Sequence, residues 1–121
     1  MFDGDDLDAA ERRVDEWQAG LERRAAEARE LATRLTGLSG SARSADKLVT
    51  VTVDAAGLTS LKLAEGIRQR PAAETAAAIL ATLREARVKL TAAATTITEE
   101  TVGADSETGK AVIASYAARH G

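Results

Sequence analysis

The chain has 121 residues, 45% hydrophobic and 29% charged, with a net charge of −3, which fits one soluble globular domain and leaves little room for two. Twenty-seven residues are alanine and only Phe2, Trp17 and Tyr116 are aromatic, so the apolar count overstates the side-chain surface available for a core. Alanine-rich helices hold in water chiefly by docking on something else, so the composition predicts self-association, as a homodimer or larger.

The lack of cysteine removes disulfide frameworks, thiolate zinc sites and cysteine nucleophiles together, and fits a reducing compartment. A secretory signal needs a basic start and an apolar run, whereas Met1-Phe2-Asp3-Gly4-Asp5-Asp6 is acidic and the longest apolar stretches are far too short to span a bilayer. The expectation is a cytoplasmic protein with no membrane partner. His120 is the single histidine, which leaves almost no material for a triad or a histidine metal site. No Gly-x-x-x-x-Gly-Lys or Gly-x-Gly-x-x-Gly pattern occurs, and Gly57 and Gly66 flank a strand instead of opening a phosphate-binding helix. The acids Asp5, Asp6, Asp8 and Glu11 crowd one helix start, and Glu99 and Glu100 lie near another helix end, where solvation explains them. We therefore expect no catalytic residue, no metal, no cofactor and no small-molecule substrate.

From Leu7 to Leu38 the apolar positions fall at Leu7, Ala10, Val14, Trp17, Leu21, Ala28, Leu31, Leu35 and Leu38, an alternating spacing of three and four. That heptad predicts one long amphipathic helix with only Arg24 polar in the seam, ended by Gly37 and Gly40. At ~1.5 Å per residue its roughly 30 residues make a rod of about 45 Å, longer than any core this chain can build alone. Trp17, Leu21, Leu31 and Leu35 are candidate dimer or core positions.

The period then changes. Leu48-Val49-Thr50-Val51-Thr52-Val53 and Leu58-Thr59-Ser60-Leu61-Lys62-Leu63 alternate as antiparallel strands around a four-residue loop, Asp54-Ala55-Ala56-Gly57. Val49, Val51 and Val53 share one face, with Leu61 and Leu63 available to meet them, and these five complete the candidate dimer or core set. Ser39 to Ser44 adds a weaker third strand before a turn at Ala45-Asp46. So small a sheet has open edges that helices, a second copy, or both must protect.

Arg70-Pro71 opens a second helix that runs to about Glu100, with Pro71 in its first turn. Ile79, Leu80, Leu83, Val88, Leu90 and Ile97 lie there among alanines that permit close packing along one side. Gly103 ends it, and Ser106 caps a last helix carrying Val112, Ile113 and Tyr116, with Gly109 weakening its start. The fold class is α+β: long N-terminal helix, antiparallel sheet of two to three strands, long second helix and short C-terminal helix. Residues 1–103 form the helix-sheet-helix domain and residues 104–121 a C-terminal helical tail.

Charge is unevenly placed. Residues 1–16 hold seven acids and two bases, residues 17–46 five bases and four acids, residues 47–98 seven bases and four acids, and residues 99–121 four acids and two bases. The basic middle offers Arg68, Arg70, Arg84, Arg87 and Lys89 as candidate contacts to a polyanion, Arg84 and Arg87 sharing a helix face. Solubility, with pairing to Glu85 or Glu74, is the plainer account of the same charges. By the same standard His120 reads as a tail residue, Trp17 as a heptad core residue and Tyr116 as a docking residue, with no stacking platform for single strands.

With these elements placed, the run Val-Thr-Val-Thr-Val-Asp-x-x-Gly-Leu-x-x-Leu-x-Leu from Val49 to Leu63, together with the leading helix and Pro71, resembles the YbaB/EbfC family over residues 10–98. The segment Gly103-Ala104-Asp105-Ser106-Glu107-Thr108-Gly109 looks like the tail of its actinobacterial branches. The resemblance implies a bacterial α+β homodimer joined through its sheet, with projecting helices, that binds double-stranded DNA and associates with the nucleoid. The chain departs from the family pattern in its acidic helix start and alanine content. Actinobacterial members also include accessory proteins of type VII secretion, so the resemblance allows an adaptor with a protein partner as the alternative.

Overall fold

The computed structural model describes residues 4–120. Its elements in chain order are α1 (Gly4–Thr36), β1 (Gly40–Arg43), β2 (Val49–Asp54), β3 (Gly57–Leu63), a 3-10 turn (Glu65–Gln69), α2 (Ala72–Thr101) and α3 (Glu107–His120). The α+β class and the helix, sheet, helix, short-helix order are those expected, and the weak third strand exists as β1. The first helix starts and stops slightly earlier than its apolar seam. Pro71 stands just before the second helix as its cap, with φ −58° and ψ 140°, instead of inside the first turn.

The sheet is antiparallel in the order β1-β2-β3, with β2 central. Side chains opposite one another across a sheet share a face. Val53, Val51 and Val49 therefore line up with Gly40 and Ala42 on one side and with Leu58, Leu61 and Leu63 on the other. The hairpin is tighter than its four-residue reading: Asp54 and Gly57 already pair, leaving two turn residues. Asp54 Oδ1 accepts hydrogen bonds from the backbone N–H of Ala56 (2.8 Å) and Gly57 (3.2 Å), and Gly57 has φ 131°. An irregularity between Thr52 and Val53 then changes the parity of β3, bringing Leu58 onto the face of Leu61 and Leu63.

The core lies between this face and α2. Val49, Val51, Val53, Ala42, Ala86 and Leu90 form it, with Leu38, Ala78, Ile79, Leu83 and Tyr116 packed around them. The buried stripe of α2 is Thr82, Ala86, Leu90, Ala94 and Thr98. Of the heavier side chains of α2, Leu90 is fully buried whereas Leu80 and Val88 are exposed. The reason is steric. A Cβ on Gly40 would stand 2.5 Å from the Ala86 carbonyl oxygen and 2.8 Å from the Leu90 nitrogen, so β1 approaches α2 at backbone contact and needs small residues there. The two buried threonines satisfy their hydroxyls by donating to the carbonyls of Ala78 and Ala94, each at 2.7 Å.

Arg34 ties the end of α1 to the end of α2, donating to Thr101 Oγ1 (2.7 Å) and Glu100 Oε2 (3.2 Å). Gly103, at φ 84°, turns the chain out of α2, and Ser106 caps α3: its Oγ accepts from the Gly109 N–H at 2.9 Å and donates to the Gly103 carbonyl at 3.0 Å. Gly109 is more than a weak helix former. A Cβ there would sit 2.1 Å from the Gly103 oxygen, so the tight entry to α3 requires glycine. Thereafter α3 packs on α2 and delivers Tyr116 to the core.

Candidate functional site

Helix α2 covers β1 and β2 but leaves β3 largely uncovered, although β3 shares the core-facing register. Leu61 and Leu63 are each 41% exposed and Leu58 is 50% exposed, while their cross-strand partners Val51, Val49 and Val53 are fully buried. The core thus runs out to the sheet edge and stops without a cover. A shallow groove lined by Ile67, Ala72, Ala76 and Ile79 opens between the 3-10 turn and the start of α2. Seven residues long and ending a three-stranded sheet, β3 has one row of backbone groups facing outward, the arrangement that recruits another strand.

The opposite face of the sheet carries no helix-facing valine, and its composition is polar. Arg43, Thr50 and Lys62 form one row across the three strands, and Ser41, Thr52 and Ser60 the next. At strand spacings of ~4.8 Å the backbones of Arg43 and Lys62 lie about 10 Å apart. Neither cation belongs to an ion pair among the described residues. Charge counting along the chain passes over both. Their signal is the register itself: once Thr50 is assigned outward, its neighbours on the flanking strands are Arg43 and Lys62.

The five expected polyanion contacts do not form one cluster. Arg68 pairs with Glu65 (3.1 Å) in the 3-10 turn, and Arg70 pairs with Asp46 in the β1–β2 connection. Arg84, Arg87 and Lys89 sit more than three helical turns further along α2 and take part in no ion pair among the described residues, so the pairing to Glu74 or Glu85 does not form. At 100° per residue Arg84 and Arg87 share a face, whereas Lys89 projects from nearly the other side of the helix from Arg87.

The Arg70 contact has a structural purpose. Asp46 accepts from the Ser44 hydroxyl (2.7 Å) and the Leu48 N–H (3.0 Å), and these bonds, the serine first, with Arg70 adding to them, hold its carboxyl below the usual carboxylate range despite some desolvation. Together they clamp a turn in which Lys47 adopts φ 66°. Arg70 is therefore engaged in positioning that turn against the link into α2.

Within the protomer, α1 divides in two. Leu31 is buried, Leu35 half-buried and Leu38 packed on the core, whereas Leu7, Val14, Trp17 and Leu21 are exposed, Trp17 at 64%. Trp17 is thus no core residue of a single chain. His120 is likewise no free tail: it is only 8% exposed, its ring centroid 5.6 Å from that of Tyr116, and its Nδ1 has no hydrogen-bond partner among the described residues. Burial, then the nearby Arg87 and Arg119, lower its pKa from 6.5. The unfolded chain therefore takes up a proton near pH 6.5 that the folded chain refuses, so this contribution is present above pH 6.5 and is lost as pH falls through the folded value. A proton titration of the His120 ring by nuclear magnetic resonance is expected to give a midpoint below 6.5, with stability declining on acidification over the same interval.

Among the described residues no group of three or more His, Cys, Asp or Glu could hold a metal ion, and no helix is long and apolar enough to cross a membrane. Comparison with family models, curated proteins and solved structures gave no match.

Proposed function

We propose that the protein is a non-enzymatic homodimer of the YbaB/EbfC kind that binds double-stranded DNA with little sequence preference, in the cytoplasm and in association with the nucleoid. The observation that carries the dimer is the uncovered core face of β3. Pairing two β3 edges would satisfy their outward backbone groups and let Leu61 and Leu63 of both copies fill the space that one α2 leaves open. Such a joint also makes one continuous sheet, whose polar face carries Arg43 and Lys62 twice over. Cations beside hydroxyls suit phosphates and read no base edges. Arg84, Arg87 and Lys89, in no ion pair among the described residues, are further contacts on the helical side, and Arg68 can exchange an exposed Glu65 for phosphate at small cost, since surface ion pairs contribute ~0–1 kcal/mol.

A mobility-shift titration across salt concentrations tests the DNA reading. The wild type is expected to retard any duplex at low salt, and Arg43→Ala or Lys62→Ala to weaken binding on all sequences alike, lowering the salt slope by about one per phosphate contact removed. A dimer that retards no duplex at low salt refutes it. The second reading, an adaptor that meets a protein partner as in type VII secretion, is favoured by a different observation, the exposed apolar seam on the first half of α1.

A further inference from the structure

We infer that the projecting half of α1 pairs with the same segment of a second copy, antiparallel, with the two helices crossing midway between Val14 and Trp17. This contact is separate from the β3 edge and would link one dimer to the next.

The seam comes first. Leu7, Ala10, Val14, Trp17 and Leu21 keep the three-and-four spacing that places them on one stripe, and the stripe continues through Leu31 and Leu35. The protomer covers the second stretch itself, burying Leu31, but among the described residues leaves the first stretch exposed: apart from Gly20, α1 has no buried residue before Leu31. The unpaired part is therefore a continuation of a packed interface. From Leu7 to Leu21 it spans about 21 Å at ~1.5 Å per residue, Arg24 already edging a cleft with Val102 and Ser106 of its own chain. A free helix with four large apolar side chains in water is stabilised by covering them.

Side-chain volume and charge then select the occupant. In an antiparallel pair of copies crossing between Val14 and Trp17, each seam residue faces the one at the mirrored position. Ala10 meets Leu21 of the other copy, and Val14 meets Trp17, so both of these layers join a small side chain to a large one. A shallow depression edged by Ala10, Glu11, Val14 and Asp15 lies where a large side chain would enter. Leu7 meets Arg24, the one polar seam residue, and that guanidinium lands at the helix end carrying Asp5, Asp8 and Glu11. In this register residues 17–24, with one acid and two bases, face residues 7–14, with two acids and two bases, so the antiparallel overlap is nearly neutral apart from Asp15 and Glu16 at the crossing, whereas the whole stretch 4–16 holds six acids and two bases. Parallel pairing in register would stack the acidic halves and put Arg24 against Arg24 inside the seam, at a cost in repulsion. An unrelated helix would need the same small-to-large order, whereas a second copy supplies it.

The chain has no cysteine, so single cysteines report the geometry without background. Ala10→Cys and Leu21→Cys chains are mixed at tens of micromolar and treated with a short bismaleimide. The expected product is the mixed dimer, position 10 of one chain coupled to position 21 of the other, in several-fold excess over either self-coupled dimer and over any product from Ala19→Cys on the outer side of the helix. Self-coupling of each variant at least equal to mixed coupling would establish the parallel arrangement and overturn the proposal. The unmodified protein supplies the second readout: the single indole of Trp17 is expected to shift its emission to the blue with rising concentration. Emission of a water-exposed indole at every concentration also overturns it. Neither readout depends on DNA or on the β3 edge, so their failure leaves the dimer and DNA reading standing, and failure of that reading leaves these intact.

Discussion

Val51→Asp is expected to leave the protein largely unfolded at neutral pH, whereas Thr52→Asp is expected to fold with a loss of at most about 1 kcal/mol. Val51 is fully buried at the centre of the sheet, between Ala42 and Leu61 across the ladders and beneath α2. The buried residues around it, Ala42, Val49, Val53, Ala86 and Leu90, offer a carboxylate no cation and no polar side chain. Folding would have to keep the introduced carboxyl protonated, and holding such a group neutral at pH 7 across ~3 pKa units costs about 4 kcal/mol. The lost valine packing adds to this, against a total stability of roughly 5–15 kcal/mol for a domain. Because the folded pKa is raised in this variant, the penalty shrinks as pH falls toward the ordinary aspartate value, so partial recovery near pH ~4 is part of the prediction. Thr52, one residue on, points to the polar face and touches Ser41 through a 3.4 Å hydroxyl contact. Circular dichroism during urea unfolding separates the two, and equal tolerance would mean that the faces of β2 are reversed.

Gly40→Ala is expected to cost about 3 kcal/mol, the upper end for an overpacked site. The added Cβ would meet the Ala86 carbonyl oxygen at 2.5 Å, the Leu90 nitrogen at 2.8 Å and the Leu90 Cβ at 2.9 Å. Two of those atoms are helix backbone and cannot swing aside, so either β1 or α2 must move and the contact that seals one edge of the core opens. In a chain of this size each kcal/mol moves the midpoint by roughly 4 °C, which places the thermal transition about 12 °C lower. Gly37→Ala is the control, since a Cβ there meets nothing within 4 Å, and its midpoint should hardly change. A Gly40→Ala protein that melts with the wild type would show that β1 does not approach α2 closely.

The Val-Thr alternation of β2 states its inward face directly, because a period of two admits only one assignment once one face is buried. The helices, the capping serine at Ser106 and the hairpin were legible for the same local reasons. What was not legible depends on distance between elements. The alanines of α2 mark a side open to close packing, and Ala86 takes it, but nothing in the α2 sequence puts Thr82 inside and Leu80 and Val88 outside; that choice is made by Gly40 arriving from a strand far earlier in the chain. Gly109 reads as a local weakness until the Gly103 carbonyl is placed beside it. The parity change after Leu58 hid one of three edge leucines, and the three-strand register was needed to set Arg43 beside Lys62. Charge counted along the chain favoured Arg68 and Arg70, whose guanidinium groups the fold directs to Glu65 and Asp46.

If β3 joins two copies, the molar mass in solution shows it. Light scattering on protein at tens of micromolar should give at least about 25 kDa, twice the 12.6 kDa of the chain, and Leu61→Glu combined with Leu63→Glu should remove the pairing made through the sheet. Trp17→Glu, which alters only the α1 seam, should leave the dimer in place and remove only larger species. A wild-type mass of 12.6 kDa at these concentrations, with Leu61 and Leu63 left in water, would show that β3 joins no second copy.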